Sequence, residues 1–274
     1  MKFRFLVALS LAALLAIPAA ASSFSFTTGN PDGRIATLSR VSSAGKIQTE
    51  TADDFILGHK TILDQATFIG LIPTGVSLGS IGQVEIEFYH VFPKDSGPFD
   101  GLVPTRKNSP GDVEIDEATR DSLNGTLSFT VTLLNPNFSA ANSVINGINP
   151  SPNQFTGGEG PISGQEVQIN VVFNTPVTLD PDHYFFRPEA LVASGDFYWL
   201  STAQPQFAGD LQTWIRNDNL APDWLRIGTD ITAQGPFDAA FSLSGTAVPE
   251  PSTLGLLGGG ALSAFAFWRR KFRP

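Results

Sequence analysis

Apolar and polar residues alternate along this chain in short runs, and no long stretch repeats with the 3.6-residue period of an amphipathic helix. In GTLSFTVTLL, Leu127, Phe129, Val131 and Leu133 point one way and Ser128, Thr130 and Thr132 the other. In QVEIEFYHVF, Val84, Ile86 and Phe88 alternate with Glu85, Glu87 and Tyr89. In EVQINVVF, Val167, Ile169, Val171 and Phe173 alternate with Gln168 and Asn170. A period of two is a strand with one face on a core and one face in water. Further strands are expected at 51–57, 61–72, 183–188, 196–201 and 238–245. Between them stand Gly58, Pro73-Thr74-Gly75, Asn135-Pro136-Asn137, Asn174-Thr175-Pro176, Asp180-Pro181-Asp182 and Ser194-Gly195-Asp196. The pattern predicts an all-β fold, a two-sheet antiparallel β-sandwich with jelly-roll-like topology in which the first and last strands pair. Residues 93–124 and 135–165 are expected as long loops, with a short helix or acidic patch over Asp112–Arg120.

Both ends stand apart from this pattern. Lys2 and Arg4 precede an apolar run from Phe5 to Ile17, followed by Ala19-Ala20-Ala21. A charged start, a short apolar stretch and a small-residue exit make a secretory signal peptide, with cleavage by signal peptidase expected after Ala21. At the other end, Val248-Pro249-Glu250-Pro251 precedes an apolar segment, 253–268, and a basic cluster, Arg269, Arg270, Lys271 and Arg273. The apolar segment is close to the lower length limit of a transmembrane helix. The positive-inside rule keeps the basic cluster cytoplasmic, so the domain at 22–247 lies outside the inner membrane.

Charge and cysteine content narrow the function classes. Two of the 17 basic residues lie in the signal peptide and four in the tail, while one of the 26 acidic residues, Glu250, lies in the tail. The domain therefore carries 11 basic and 25 acidic residues, a net charge of −14. Such a surface repels nucleic acid. The absence of cysteine excludes disulfides, lipoprotein acylation, thiol chemistry and cysteine zinc sites.

The order Pro-Glu-Pro, apolar helix, Arg-rich end resembles the PEP-CTERM sorting signal, also known as the ice-binding protein C-terminal motif. The resemblance covers about 248–273. It implies recognition of Val248, Pro249, Glu250 and Pro251 by an exosortase of the inner membrane, with Arg269, Arg270, Lys271 and Arg273 as the retention signal. It also implies removal of the helix and delivery to the surface or extracellular matrix of a Gram-negative bacterium that makes exopolysaccharide and biofilm. TADDFIL and FDAAFSLSGTAVPEP resemble the boundary strands of sandwich domains in other PEP-CTERM proteins. No ice-binding activity is implied, because Thr126, Thr130 and Thr132 do not form a flat, regular array.

No catalytic constellation, cofactor motif or metal-ligand spacing stands out. Glu85 and Glu87 share a strand face at a separation that an inverting glycosidase could use, but a wet outer face explains them better. Asp53 and Asp54 point to opposite faces, one inward or at a sheet edge; the alternative reading is a structural Ca²⁺ site there, although an Asp-rich calcium loop is missing. His90 continues an inward face at the core or rim, and His59 and His183 stand in a turn and at a strand start, without metal-like spacing. Ser163-Gly164 and Ser194-Gly195 lack the G-x-S-x-G of a nucleophile elbow, and GGEG at 157–160 lacks the setting of a phosphate loop. Tyr198, Trp199, Trp214 and Trp224 fall close together. Burial in the core is the favoured reading of these aromatics; exposed, Trp214 and Trp224 would stack on a glycan. The expectation is a non-enzymatic envelope or matrix protein, adhesive or glycan-contacting in an exopolysaccharide biofilm. The alternatives are a hydrolase of extracellular polysaccharide and a permanently anchored protein facing the periplasm.

Overall fold

The computed structural model describes residues 21–92, 107–148 and 155–249. The signal peptide up to Ala20, part of each expected long loop, and everything from Glu250 onward, including the 253–268 helix and the basic cluster, lie outside the described residues. Among the described residues no helix is long and apolar enough to cross a membrane.

Fifteen strands follow one another among the described residues: β1 (Ser22–Thr27), β2 (Ile35–Leu38), β3 (Thr49–Leu57), β4 (Thr61–Ile72), β5 (Ile81–His90), β6 (Arg120–Asp121), β7 (Leu127–Ala140), β8 (Asn142–Val144), β9 (Ile162–Leu179), β10 (Asp182–Val192), β11 (Tyr198–Thr202), β12 (Trp214–Asn217), β13 (Leu225–Arg226), β14 (Asp238–Ala239) and β15 (Phe241–Ala247). A short 3-10 turn at Asp116–Ala118 is the only helical piece of the expected Asp112–Arg120 patch.

Two sheets form. The larger has the order β1-β15-β4-β11-β2-β8, with β9 on the other side of β4, β7 on β9, and β14 on β11. The smaller runs β13-β12-β3-β10-β5-β6. The alternation explains how they meet. Phe68, Ile169, Val171 and Phe241 of the large sheet and Phe55, Ile86, Phe88 and Phe186 of the small one belong to one buried cluster. Phe186 is its hub, with ring centroids 5.0 Å from Phe241, 5.9 Å from Trp199 and 6.5 Å from Phe68. With no disulfide available, this interdigitated apolar layer is the main driving force for folding.

The first and last strands pair as expected, with Ser22 opposite Ala247. One pair departs from the antiparallel expectation: β2 and β8 run parallel, Ile35 beside Asn142.

Two expected breaks lie inside strands. Asn174-Thr175-Pro176 sits within β9, where the register against β4 shifts between Leu63 and Gln65. The carbonyls of Thr175 and Pro176 that leave the ladder accept hydrogen bonds from the Arg120 guanidinium. Asn135-Pro136-Asn137 sits within β7, at register shifts between Leu133 and Phe138. β7 is an edge strand, so a proline there removes no needed donor. Both segments are bulges, which a proline-rich sequence does not distinguish from turns.

Candidate functional site

The outward face of the small sheet is where the structure departs most from the sequence expectation. Alternation places Glu50 and Ala52 of β3, Glu85, Glu87 and Tyr89 of β5, Phe185, Arg187 and Glu189 of β10, and Trp214 and Arg216 of β12 on it. Water should wet this face, yet Glu87 is 7 % exposed, Glu50 6 %, Arg187 1 % and Glu189 0 %. The loops around Gly111–Asp112 and Pro222–Trp224 fold over it. Trp224 donates its indole N–H to the Gly111 carbonyl at 3.1 Å, and Arg216 donates to the carbonyls of Asp112 and Pro222. Ala52, Tyr89, Phe185, Trp214 and Trp224 pack together beneath these loops.

The wet-face expectation is thus corrected for Glu87, which a further layer keeps dry, while Glu85 stays partly exposed. Buried carboxylates need partners, and two guanidiniums supply them. Arg187 contacts Glu87, lies 2.5 Å from Glu189, 3.2 Å from Glu50 and 3.5 Å from Glu85. Arg216 forks onto both carboxylate oxygens of Glu50 and donates to the Tyr89 hydroxyl at 3.0 Å. It also lies over the Trp224 ring, 4.3 Å from its centroid. Burial pushes the Glu50 carboxyl up, but Arg187 and Arg216 outweigh it and hold the group below its usual value. Burial wins at Glu189, pushed up to about 8 against the pull of Arg187, and at Glu85, pushed up to about 7. Four glutamates from three strands therefore meet around two arginines, and burial raises two of them. Sequence reading missed Glu50, Arg187 and Glu189, and took Arg216 only as a polar neighbour of Trp214 and Trp224. The available signal was Arg187 and Glu189 in the run HYFFRPEALV, charges inside an otherwise apolar strand.

Trp214 and Trp224 are 1 % and 0 % exposed. Neither presents a ring face to a sugar, which corrects their reading as exposed glycan contacts; the core reading holds for Trp199, Trp214 and Trp224, while Tyr198 is half-buried. Trp214 borders a cavity of about 220 Å³ shared with Lys107, Gln204, Asp210, Gln212 and Arg226.

Asp53 and Asp54 do leave β3 in different directions, and both are buried. Asp53 accepts from the Thr213 hydroxyl at 3.1 Å and the Ala239 amide at 2.7 Å. Asp54 lies 2.6 Å from the His183 ring and accepts from the Leu211 amide. His90 is exposed at the rim, 3.2 Å from Asp182, and His59 is exposed in its turn. Among the described residues no three His, Asp or Glu side chains are gathered at metal-ligand distance. Ser163 pairs with the Ser139 hydroxyl across two strands. In the GGEG segment, Glu159 accepts the amides of Ile145, Asn146 and Gly147, so it closes a loop and cradles no phosphate.

The sorting segment begins where the fold stops. β15 ends at Ala247, and the Val248 amide still donates to the Lys60 carbonyl at 2.7 Å. Pro249 follows, and Glu250, Pro251 and Arg269–Arg273 lie outside the described residues. Ala21, the expected cleavage point, is exposed and directly precedes β1. Because Ser22 pairs with Ala247, the two ends of the folded domain lie side by side.

A family model described as the PEP-CTERM protein-sorting motif matches residues 247–271. No curated protein and no solved structure matches the chain.

Proposed function

We propose that this chain, which carries a PEP-CTERM sorting motif at 247–271, is sorted by an exosortase, and that its β-sandwich domain works without catalysis in an exopolysaccharide matrix, as an adhesive or glycan-contacting component. The observation that carries this reading is the sorting motif at 247–271, set directly against the last strand of a domain whose first and last strands pair. Removal of both end segments leaves a closed unit with a net charge of −14. Such a charge keeps a released domain soluble. The non-enzymatic part rests on the state of its carboxylates. Glu50, Glu87 and Glu189 are bound to Arg187 or Arg216 under covering loops, out of reach of a substrate. The experiment is fractionation with mass analysis in cells that contain exosortase, followed by retention of the exported protein on an exopolysaccharide column. The extracellular form is expected to lack residues 1–21 and the 253–268 helix with its basic cluster. An extracellular form that retains Arg269–Arg273 overturns exosortase processing, and an intact tail in the membrane fraction supports the permanently anchored reading.

One observation favours a polysaccharide hydrolase as the second reading. Glu85 is the most open member of the glutamate cluster, with 20 % of its side chain exposed, and it is pushed up to about 7. A carboxyl protonated near neutral pH can act as a general acid. Polysaccharide cleavage that disappears in Glu85→Gln while the fold persists would select this reading.

A further inference from the structure

The edges of the two sheets are unequal. β6, β8 and β13 are two or three residues long, and a very short edge strand offers little for another chain to pair with. β7 has 14 residues, with β9 on one side and no strand on the other. Among the described residues, no turn or loop makes a backbone–backbone hydrogen bond to Leu127–Ala140. Pro136 and the register shifts after Leu133 guard the second half of this strand. The first half, Leu127–Leu133, is regular and open.

Long edges are commonly protected by charge, and this one has none. No Asp, Glu, Lys, Arg or His occurs from 122 to 158, in a domain with a net charge of −14. Ser128, Thr130 and Thr132 are exposed, Phe129 and Val131 are half-buried, and Leu133 is 41 % exposed. β9 continues the neutral surface, with Val172, Asn170 and Gln168 opposite Ser128, Thr130 and Thr132.

The order of the side chains decides what fits. Leu127-Ser128-Phe129-Thr130-Val131-Thr132-Leu133 reads the same in both directions about Thr130, apolar for apolar and hydroxyl for hydroxyl. Two copies laid antiparallel about a two-fold axis at Thr130 would set Leu127 opposite Leu133, Ser128 opposite Thr132, Phe129 opposite Val131 and Thr130 opposite itself. An isologous contact of this kind uses one patch twice. Aromatic–β-branched and Thr–Thr pairs are favourable cross-strand neighbours. A slip of one residue would set hydroxyls against apolar side chains. The charge argues the same way: two domains of net charge −14 repel each other, and this strip lets them meet without opposing carboxylates.

We propose that the exported domain associates with a second copy of itself through β7, edge to edge, about a two-fold axis at Thr130. The two large sheets become one continuous sheet, and Leu133 of each copy is covered by Leu127 of the other. The contact is small, so it is weak in dilute solution and fills as the local concentration rises. It does not rest on the glycan reading.

The test is sedimentation equilibrium of the exported protein as isolated, from about 10 µM to about 1 mM, as a small interface requires. The mass should rise from one chain toward two, and more steeply in roughly 0.5 M NaCl, which screens the repulsion. Hydrogen exchange at Leu127–Leu133 should slow at the high concentration, a readout that needs no variant. Thr130→Lys and Thr130→Asp each set like charges face to face and should each stay monomeric, with the fold intact because Thr130 is exposed. An equimolar mixture of the two should pair again, since Lys then faces Asp. Ser25→Lys, on the exposed β1 edge, should pair like the parent. A parent that stays monomeric, a mass that climbs past two chains, association that survives Thr130→Lys, or a mixture of folded variants that does not pair overturns the proposal.

Discussion

Arg187 shows how much one residue can carry in this domain. It is 1 % exposed and touches four glutamates, Glu50, Glu85, Glu87 and Glu189. A buried pair of charges contributes little net stability, because desolvation offsets the attraction, but removal of one partner leaves the other stranded. Arg187→Met should therefore cost about 3–5 kcal/mol, measured as a lower urea midpoint with an unchanged slope. Loss of less than about 1 kcal/mol would mean that the glutamates reach water or that protons take over the neutralising role. Glu189 already points that way, since burial pushes its carboxyl up to about 8 against the pull of Arg187. This cluster was half legible. Glu85 and Glu87 stood out by their spacing, but the Arg187 that binds them lies about 100 residues further along the chain, and only strand pairing brings them together.

At the scale of elements, the domain depends on how β15 sits between β1 and β4. The register of β15 against β4 shifts between Ser244 and Gly245. A Cβ at Gly245 would lie 2.0 Å from the Ile62 carbonyl oxygen and 2.8 Å from the Leu63 Cα, both backbone atoms that cannot swing aside. Gly245→Ala should therefore destabilise by about 1–3 kcal/mol, the usual range for overpacking. It should also speed hydrogen exchange at the β4 and β15 amides more than at those of β10. Equal protection throughout would show that the bulge absorbs a methyl group. Pairing at this scale also explains two misread breaks, in β9 and β7. A bulge and a turn draw on similar residues, and long-range pairing decides between them. Asn174-Thr175-Pro176 becomes a bulge because Arg120, 55 and 56 positions away from its two acceptors, takes the released carbonyls.

For the whole molecule the acid groups set a direction with pH. Asp238 has its folded-state pKa raised from the usual 3.8 to about 9, and Asp53, Asp54 and Asp210 are raised too, first by burial. The folded state then binds more protons than the unfolded state across this window. Stability is at its fullest, as far as these groups go, below about 4 and is lost as pH rises toward about 9. Glu189 and Glu85 add the same slope up to about 8 and about 7. Chemical denaturation of the protein at pH 5, 7 and 9 should show falling stability, and Asp238→Asn should flatten the trend. A rise from pH 5 to 9 would show that these carboxyls are ionised in the folded state without penalty. This slope is the opposite of ordinary acid denaturation, in which salt-bridged carboxylates lose stability on protonation.

The sequence by itself determined the address and the class of fold. A sorting motif is read as a linear segment, so Val248-Pro249-Glu250-Pro251 and the basic end were recognisable without any contact between distant residues. Two-residue alternation is likewise local, and it placed Val84, Ile86 and Phe88 on one inward face and Val167, Ile169, Val171 and Phe173 on another, where they lie. Only the tertiary structure decided what the other faces meet. Alternation separates two sides of a strand but does not say whether the second side reaches water or another layer. Glu87, Trp214 and Trp224 are buried because loops around Gly111 and Pro222 close over the small sheet. The aspartate cluster arises the same way. Asp53, Asp210 and Asp238 are far apart in the chain, and the packing of β14 and the β11–β12 loop against β3 brings them together.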